Sequence, residues 1–345
     1  MSKNYATLKD VAQKAGTTAA TVSYVLNDAK GRYISEDMRN RVLKAAKELN
    51  YVKSNVASSL KGEKRKMIAV LIPQFSNQFF TKMILAIEEV TDKYGYLLSI
   101  YDTFDNPKRE KEILIRMAQQ RMDGYIIIPS REGTSNTAQL REMNIPIVVV
   151  DRPLDGAENY PWVTTNNYGC GFKGGEYLTG KGHRKIGFIS WDSKIRDLEA
   201  RHLGFWDALK RRNIDETESV SVAGEFSEEA GYEMTKELLT AHPNLTAVFY
   251  GYNIQAKGGI RYLVENNMEI GKDISVLLIG SPEWTVVGNN NFTHIIQYEY
   301  DLGREAATLL FDIINEERQM GTMEIKKECS IYEGTSVADI SQKDC

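Results

Sequence analysis

The chain of 345 residues carries 43 Lys+Arg against 47 Asp+Glu, a formal net charge of −4, with 42% apolar residues. That length can bury one small core and one large or bilobed core. No run of about 18 apolar residues is present to span a membrane, and MSKNYATLKD lacks an apolar leader region, so a cytoplasmic protein is expected.

Cys170, Cys329 and Cys345 form no Cys-x-x-Cys pair and read as ordinary thiols of a reducing compartment, neither a disulfide frame nor a zinc site. Charge is unevenly spread. Residues 1–66 hold 14 Lys+Arg and 6 Asp+Glu, a net of +8, which leaves −12 for the remainder. A basic head on an acidic body suggests that one end meets a polyanion. A solvated basic tail is the plainer alternative.

The head spans residues 1–53. Thr7 stands where a first helix needs an N-cap, with Asp10 at the capping-box position. Leu8, Val11, Ala12 and Ala15 recur at helical spacing, and Gly16 ends the helix. Thr17 or Thr18 caps a second helix whose buried side is Val22, Val25 and Leu26. Ser35 caps a third helix running through Leu49, with Glu36 and Asp37 at its positive end. Helix, glycine turn, helix is the helix-turn-helix, which lays its second helix in the DNA major groove. Thr18, Ala19, Ala20, Thr21 and Tyr24 are expected to face that groove, while Thr7, Thr21, Ser23 and Asn27 hold phosphates. For Tyr24 the alternative is a rim residue packing on the third helix.

Residues 54–66 read as a short hinge helix and a charged linker, KGEKRK. SNVASSL is about two turns long, too short to be stable as an isolated helix. From residue 67 to 345 apolar runs alternate with amphipathic stretches. The strands expected are 67–73, 97–103, 124–130, 145–151, 185–191, 246–251 and 274–281. Strands apolar on both faces and separated by helices imply parallel sheets covered on each side. Ligands of such folds gather at the carboxyl ends of the strands.

Two glycine motifs are set aside by their context. Gly169-Cys170-Gly171-Phe172-Lys173-Gly174 matches the dinucleotide fingerprint, with Asp192 at a suitable distance. Asn166, Asn167 and Tyr168 precede it, which puts the glycines inside a helix rather than in a strand-to-helix turn. Gly175 to Lys181 resembles a phosphate loop, but Gly182 replaces its Ser/Thr and the segment precedes a strand. His183, His202, His242 and His294 show no metal-ligand spacing, and no Gly-x-Ser-x-Gly elbow is present. No enzyme, metal or cofactor is expected; a nicotinamide-dependent enzyme is the distant alternative.

TLKDVAQKAGTTAATVSYVLN, RVLKAAKELNY and NVASSLK, followed in order by IAVLIPQFSNQFF, QQRMDGYIIIPS, IPIVVVDRPLD, GHRKIGFIS and DLGREAATLLFDII, resemble the lactose-repressor (LacI/GalR) family of bacterial transcription regulators. The likeness covers essentially the whole chain. It implies an α/β fold with a small all-α helix-turn-helix head, joined by a hinge helix to a two-lobed core of parallel sheets like the type I periplasmic binding proteins. The lobes would be about 67–164 with 294–323, and about 165–293 with 324–345, the chain crossing near 164, 293 and 323.

The resemblance also implies function. A homodimer would bind a near-palindromic operator, repressing transcription under control of a small, sugar-like effector in the interlobe cleft. Ala19, Ala20 and Tyr24 stand at base-reading positions, but members often carry Arg at the last, which reads guanine bidentately. Tyr24 cannot, which speaks against the usual operator. Asn55, Ala57 and Leu60 lie in the hinge that enters the minor groove, Leu60 as the wedge between base steps; a plain linker with Leu60 packed on the body is the alternative. The effector residues implied are Phe79, Phe80, Asp102, Asp151, Asn166, Arg201, Tyr252, Asn253 and Ser281. For Phe79 and Phe80 core packing competes with that role, and for Arg201 a surface ion pair.

Many members carry Asn-Asp where this chain has Tyr252-Asn253, and Gly-Phe-Asp-Asp where it has Ile279-Gly280-Ser281. Two acidic ligands for hydroxyls are therefore missing, while Tyr252 and Trp284 offer stacking faces. A modified sugar, a nucleoside-like molecule or a sugar phosphate fits better than a simple hexose. Control by a phosphorylated partner protein or another non-sugar ligand is the alternative.

Overall fold

The computed structural model describes residues 6–27, 33–52, 64–131, 144–154, 160–193, 195–215, 217–287 and 290–341. The chain divides into two compact units, Met1–Arg65 and Lys66–Cys345.

In the first unit, helices α1 (Leu8–Ala15), α2 (Ala19–Leu26) and α3 (Glu36–Glu48) follow their capping signals. The Thr7 amide donates to the Asp10 carboxylate at 2.7 Å while the Asp10 amide donates to the Thr7 hydroxyl at 3.3 Å. Thr18 and Ser35 cap the next two helices through their hydroxyls. Gly16 ends α1 at φ 64°, a left-handed conformation that a side chain resists. Val11, Ala12, Ala15, Val22, Val25, Val42 and Ala45 form the core, with Leu26 half-buried against it. Arg41 of α3 donates to the Ala15 carbonyl at 2.6 Å, and Lys14 pairs with Glu48 at 2.9 Å.

The second unit is built on two six-stranded sheets. The first runs β13–β5–β4–β3–β1–β2, from Met323–Lys327, Pro161–Thr165, Ile147–Val150, Gly124–Ile127, Met67–Ile72 and Leu97–Asp102. All its pairings are parallel. Helices α4 (Gln78–Lys93) and α10 (Glu299–Ile314) supply the core on one face, and α5 (Pro107–Gln119) on the other. The second sheet runs β14–β12–β9–β8–β6–β7, from Ser330–Tyr332, Thr293–Ile296, Ser275–Ile279, Ala247–Tyr250, Ile186–Trp191 and Val220–Gly224. Only β14 is antiparallel within it. Helices α6 (Asn167–Gly180), α7 (Arg196–Lys210), α8 (Glu228–Ala241) and α9 (Asn253–Glu265) accompany this sheet. Between β9 and β12 lie a short 3-10 turn, Glu283–Thr285, and a small ribbon of β10 (Val286–Val287) and β11 (Asn290–Asn291).

The chain passes between the sheets after β5, after β12 and after β13. The last two passages fall beyond residues 293 and 323, where the sequence reading placed them. Thr293–Ile296 belongs to the second sheet and Met323–Lys327 to the first. Five strands of the two large sheets, β5, β7, β12, β13 and β14, and both strands of the small ribbon lie outside the runs expected from the sequence. MEIKK of β13 alternates half-buried and exposed residues at a sheet edge, so it shows no apolar run.

The glycines at 169–174 lie inside α6, as their sequence context indicated. A Cβ on Gly171 would stand 1.8 Å from the Arg201 carbonyl oxygen of α7, and one on Gly204 would stand 2.1 Å from that of Tyr168. These positions let two helix backbones touch; they do not cradle a phosphate. Gly171→Ala is expected to lower the unfolding free energy of the core by about 2–3 kcal/mol. Gly180→Ala, whose methyl group would meet nothing within 4 Å, should raise it by about 0.5 kcal/mol. Urea unfolding of both variants checks this, and equal stability would remove the close-packing account.

Candidate DNA-reading head and interlobe ligand cavity

On the head, Thr18, Ala20 and Asn27 are exposed, and Ala19, Thr21, Ser23 and Tyr24 are half-buried. The hydroxyls of Thr18 and Thr21 lie 3.0 Å apart, and the Asn27 amide nitrogen donates to Ser23 Oγ at 3.2 Å. Thr7 is exposed but already engaged in its capping box. Asn55, Ala57 and Leu60 lie outside the described residues.

In the core, the carboxyl ends of the strands converge on a cavity between the lobes. Phe79, Phe80, Asp151, Arg201, Tyr252 and Asn253, all expected from sequence, line it. Asn77, Arg152, Trp191, Leu198, Phe226, Ile279 and Gln297 complete the wall. Three expected residues take other places. Asp102 organises its own turn by accepting from the amides of Phe75 and Phe104 at 2.9 and 2.7 Å. Asn166 caps α6 and donates to Glu328 at 2.9 Å. Ser281 donates to the Glu299 carboxylate at 3.1 Å, and its carbonyl accepts from Lys82. Trp284 packs edge-on to Phe292 and lines an adjoining hollow with Asn77, Gln78 and Lys257.

The cavity has an aromatic lining and fixed cations. Trp191 and Phe226 are 5.0 Å apart, and each meets Tyr252 edge-on at 5.9 and 5.6 Å. Arg201 donates to Asn167 Oδ1 at 2.8 Å and to the Gly251 carbonyl at 2.7 Å, its guanidinium 4.4 Å from the Tyr252 ring centre. It is therefore a buried, doubly anchored cation rather than a surface ion pair. Arg152 is held by Asp105 and the Pro129 carbonyl, and lies 5.0 Å over Trp191.

Three side-chain atoms of the wall, Asp151 Oδ1, Trp191 Nε1 and Gln297 Nε2, are buried without a protein hydrogen-bond partner. Such groups are costly unless something pairs with them. Bonds across the cleft join Asn253 to Asn77 at 3.2 Å, the Glu283 amide to Gln78 at 2.8 Å, and Lys82 to the Ser281 carbonyl at 2.5 Å. The space inside is about 40 Å³, whereas pockets for small molecules run to about 300–1,000 Å³. Admitting a ligand requires the lobes to part or the wall to rearrange.

Trp191, Arg152 and Gln297 were missed from the sequence. Trp191 ends the expected strand 185–191, and the carboxyl-end rule could have singled it out. Gln297 gave no such signal.

Asp151 sits at φ 63°, fully buried, and burial raises its carboxyl above the ordinary 3.8 while Arg152 and Arg201 oppose the shift. A carboxyl raised on folding adds stability while protonated, and that contribution is lost as pH rises from its ordinary value through the elevated one. Asp151→Asn is expected to escape the loss, so its stability relative to the native chain should improve between about pH 4, near the ordinary carboxyl value, and about pH 8. Urea unfolding at the two pH values checks this; a constant difference would remove the burial account.

Residues 65–332 match the model for periplasmic binding proteins and the sugar-binding domain of the LacI family, and residues 7–54 match that for bacterial regulatory proteins of the lacI family. The HTH-type transcriptional repressor PurR of Klebsiella pneumoniae (strain 342) is 33% identical over 336 residues, 97% of either chain. A LacI-family regulator from Enterococcus faecium, solved with bound ribose, has a TM-score of 0.71 and 26% identity over 79% of this chain and 99% of its own. The lac repressor dimer bound to operator and the anti-inducer ONPF shares the fold, with a TM-score of 0.83 and 22% identity over 97% and 100%.

A helix-turn-helix head followed by a two-lobed ligand-binding core defines a DNA-binding transcription regulator under effector control, not an enzyme. The chain belongs to the LacI family of bacterial regulatory proteins. Among the described residues no helix is long and apolar enough to cross a membrane.

Proposed function

We propose that this regulator represses transcription in the cytoplasm as a homodimer on a near-palindromic operator, and that a small ring-bearing polyol in the interlobe cavity sets its operator affinity. The observation that carries the ligand half is the trio of unpartnered buried polar atoms, Asp151 Oδ1, Trp191 Nε1 and Gln297 Nε2, in an aromatic-walled cavity. The two N–H groups ask for acceptors and the Asp151 carboxyl oxygen for a hydroxyl partner, a demand that ring oxygens and hydroxyls meet. Trp191, Phe226 and Tyr252 supply apolar faces for the ring. The operator-bound lac repressor dimer and the ribose-bound Enterococcus faecium regulator support the same reading by kinship.

On the DNA side, Thr18, Ala19, Ala20, Thr21 and Tyr24 would face the major groove, with Thr7, Ser23 and Asn27 near phosphates. Alanine methyls pack on thymine methyls, and the Tyr24 phenol offers a single hydroxyl in place of a guanidinium fork. An effector changes operator affinity only through its differential affinity for two arrangements of the protein.

Selection of genomic fragments by the purified chain, followed by sequencing, tests the proposal. A shared palindromic motif is expected; retention without a motif, with candidate ligands supplied, would overturn sequence-specific control. On the selected motif, Tyr24→Ala is expected to cost about 1–3 kcal/mol of specific binding while nonspecific binding hardly changes. Equal loss of both, measured by titration at fixed salt, would return Tyr24 to the rim of the head.

A further inference from the structure

The interlobe cavity of about 40 Å³ adjoins a second hollow of about 330 Å³. Asn77 and Asn253 line both spaces, and the Asn253 side-chain amide donates to Asn77 Oδ1 at 3.2 Å. That bond is the partition between them. Asn77 Oδ1 also caps α4 by accepting from the Phe79 amide at 3.0 Å, so the cap still holds Asn77 when Asn253 is withdrawn. The hollow, unlike the inner cavity, already has the size of a small-molecule site, about 300–1,000 Å³.

Both lobes build its wall. Asn77 and Gln78 stand at the start of α4 in the first lobe, and Glu228, Lys257 and Trp284 belong to the second. Glu228 and Lys257 are the charged residues of that wall and pair at 2.8 Å, while Arg261 reaches the other Glu228 oxygen from outside the wall at 3.0 Å. Both charges are therefore engaged within the protein. Their remaining ammonium protons and carboxylate lone pairs are suited to hydroxyl groups, which donate and accept. Trp284 is half-buried and meets Phe292 edge-on at 6.0 Å, with no ring stacked face to face on it among the described residues. Its indole supplies the apolar surface on which a ring rests. Helix α9 begins at Asn253 without a side-chain cap, so the amides of its first turn have acceptors to gain.

We propose that the effector is a neutral saccharide of two units, whose second ring occupies this outer hollow against Trp284 while the linkage between the rings displaces the Asn253–Asn77 bond. The inference rests on the reading of the inner cavity as the seat of a polyol ring. The inner cavity then selects the first ring, and Gln78, Glu228, Lys257 and Trp284 select the second. The outer ring touches α4 of one lobe and α9 and Trp284 of the other. A ligand that bridges the lobes in this way binds best where they lie close, and shifts the protein towards that arrangement.

Calorimetric titration of the full chain tests this, with glucose, galactose and ribose, with cellobiose, maltose, lactose and trehalose, and with glucose 6-phosphate. At least one disaccharide is expected to bind about tenfold more tightly than its component monosaccharides. Trp284→Ala should remove that gain and leave monosaccharide binding within about twofold of the native chain; Lys257→Ala should reduce it. At equal saturation, hydrogen exchange of the backbone amides at 283–285 should slow several-fold under the disaccharide and not under the monosaccharide. Disaccharides that bind no better than their monosaccharides, a gain that survives Trp284→Ala, or exchange at 283–285 that ignores the disaccharide would overturn the outer subsite and leave the inner one standing. Tighter binding of glucose 6-phosphate than of any disaccharide would overturn the neutral character of the second unit. Binding of none of these compounds would overturn the polyol reading of the inner cavity, and the two-unit ligand with it.

Discussion

The architecture of the core depends on where parallel strands end. In a parallel sheet every strand delivers its following loop to the same edge, and in this chain the two sheets present those edges to a common cavity. Asn77 follows β1, Asp151 and Arg152 follow β4, Trp191 closes β6, Tyr252 follows β8, Ile279 closes β9 and Gln297 follows β12. Six strands therefore place seven side chains of seven different types around one small volume. The strands themselves are buried on both sides, which fixes each half of the wall within its own lobe.

The helix pair α6 and α7 extends that rigidity to the cation of the site. Glycines at 171 and 204 bring the two backbones into direct contact, and Arg201 stands at that contact with its carbonyl against Gly171. Its side chain reaches the Gly251 carbonyl and Asn167, so backbone packing and hydrogen bonding fix the guanidinium independently. An arginine so held loses little further rotamer entropy when a ligand arrives.

What could be read from the sequence follows from how local each determinant is. Thr7, Asp10, Gly16, Thr18 and Ser35 act within a few residues of themselves, so all three head helices are legible from the letters alone. Strands buried on both faces are legible as apolar runs. The rule is incomplete: the edge strand β2 was legible, the interior strands β5 and β12 were not, and β7 and β13 are largely half-exposed edge strands whose membership of a sheet is decided by partners distant in sequence. The cavity divides in the same way. Phe79, Phe80, Asp151, Arg201, Tyr252 and Asn253 were accessible through family resemblance, whereas Trp191, Arg152 and Gln297 gain their meaning only when two sheets meet. Asp102, Asn166 and Ser281 illustrate the converse. Each is a small polar residue beside a turn or crossing, and in each case the nearby backbone or a carboxylate already satisfies its side chain.

The balance of forces across the cleft explains how a small molecule can control so large a protein. The lobes are joined there by a few hydrogen bonds, from Asn253 to Asn77, from Glu283 to Gln78 and from Lys82 to Ser281, with a long Arg131–Glu225 pair of 3.6 Å beside them. Hydrogen bonds of this kind are worth about 1 kcal/mol each after desolvation, and the exposed ion pair less. Against them stand three buried polar groups without partners, each with a cost of about 1–3 kcal/mol while it stays unpaired. The two sets of terms oppose one another, so a ligand that pairs one of these groups in a single arrangement shifts the equilibrium towards it. Coupling between distant sites in proteins is typically about 1–3 kcal/mol, within reach of a ligand that pairs even one of those groups in only one arrangement. The same opposition gives the crossings their leverage. Whatever constrains the three chain segments between the lobes, whether packing or a bound ligand, weighs directly on the equilibrium between lobe arrangements.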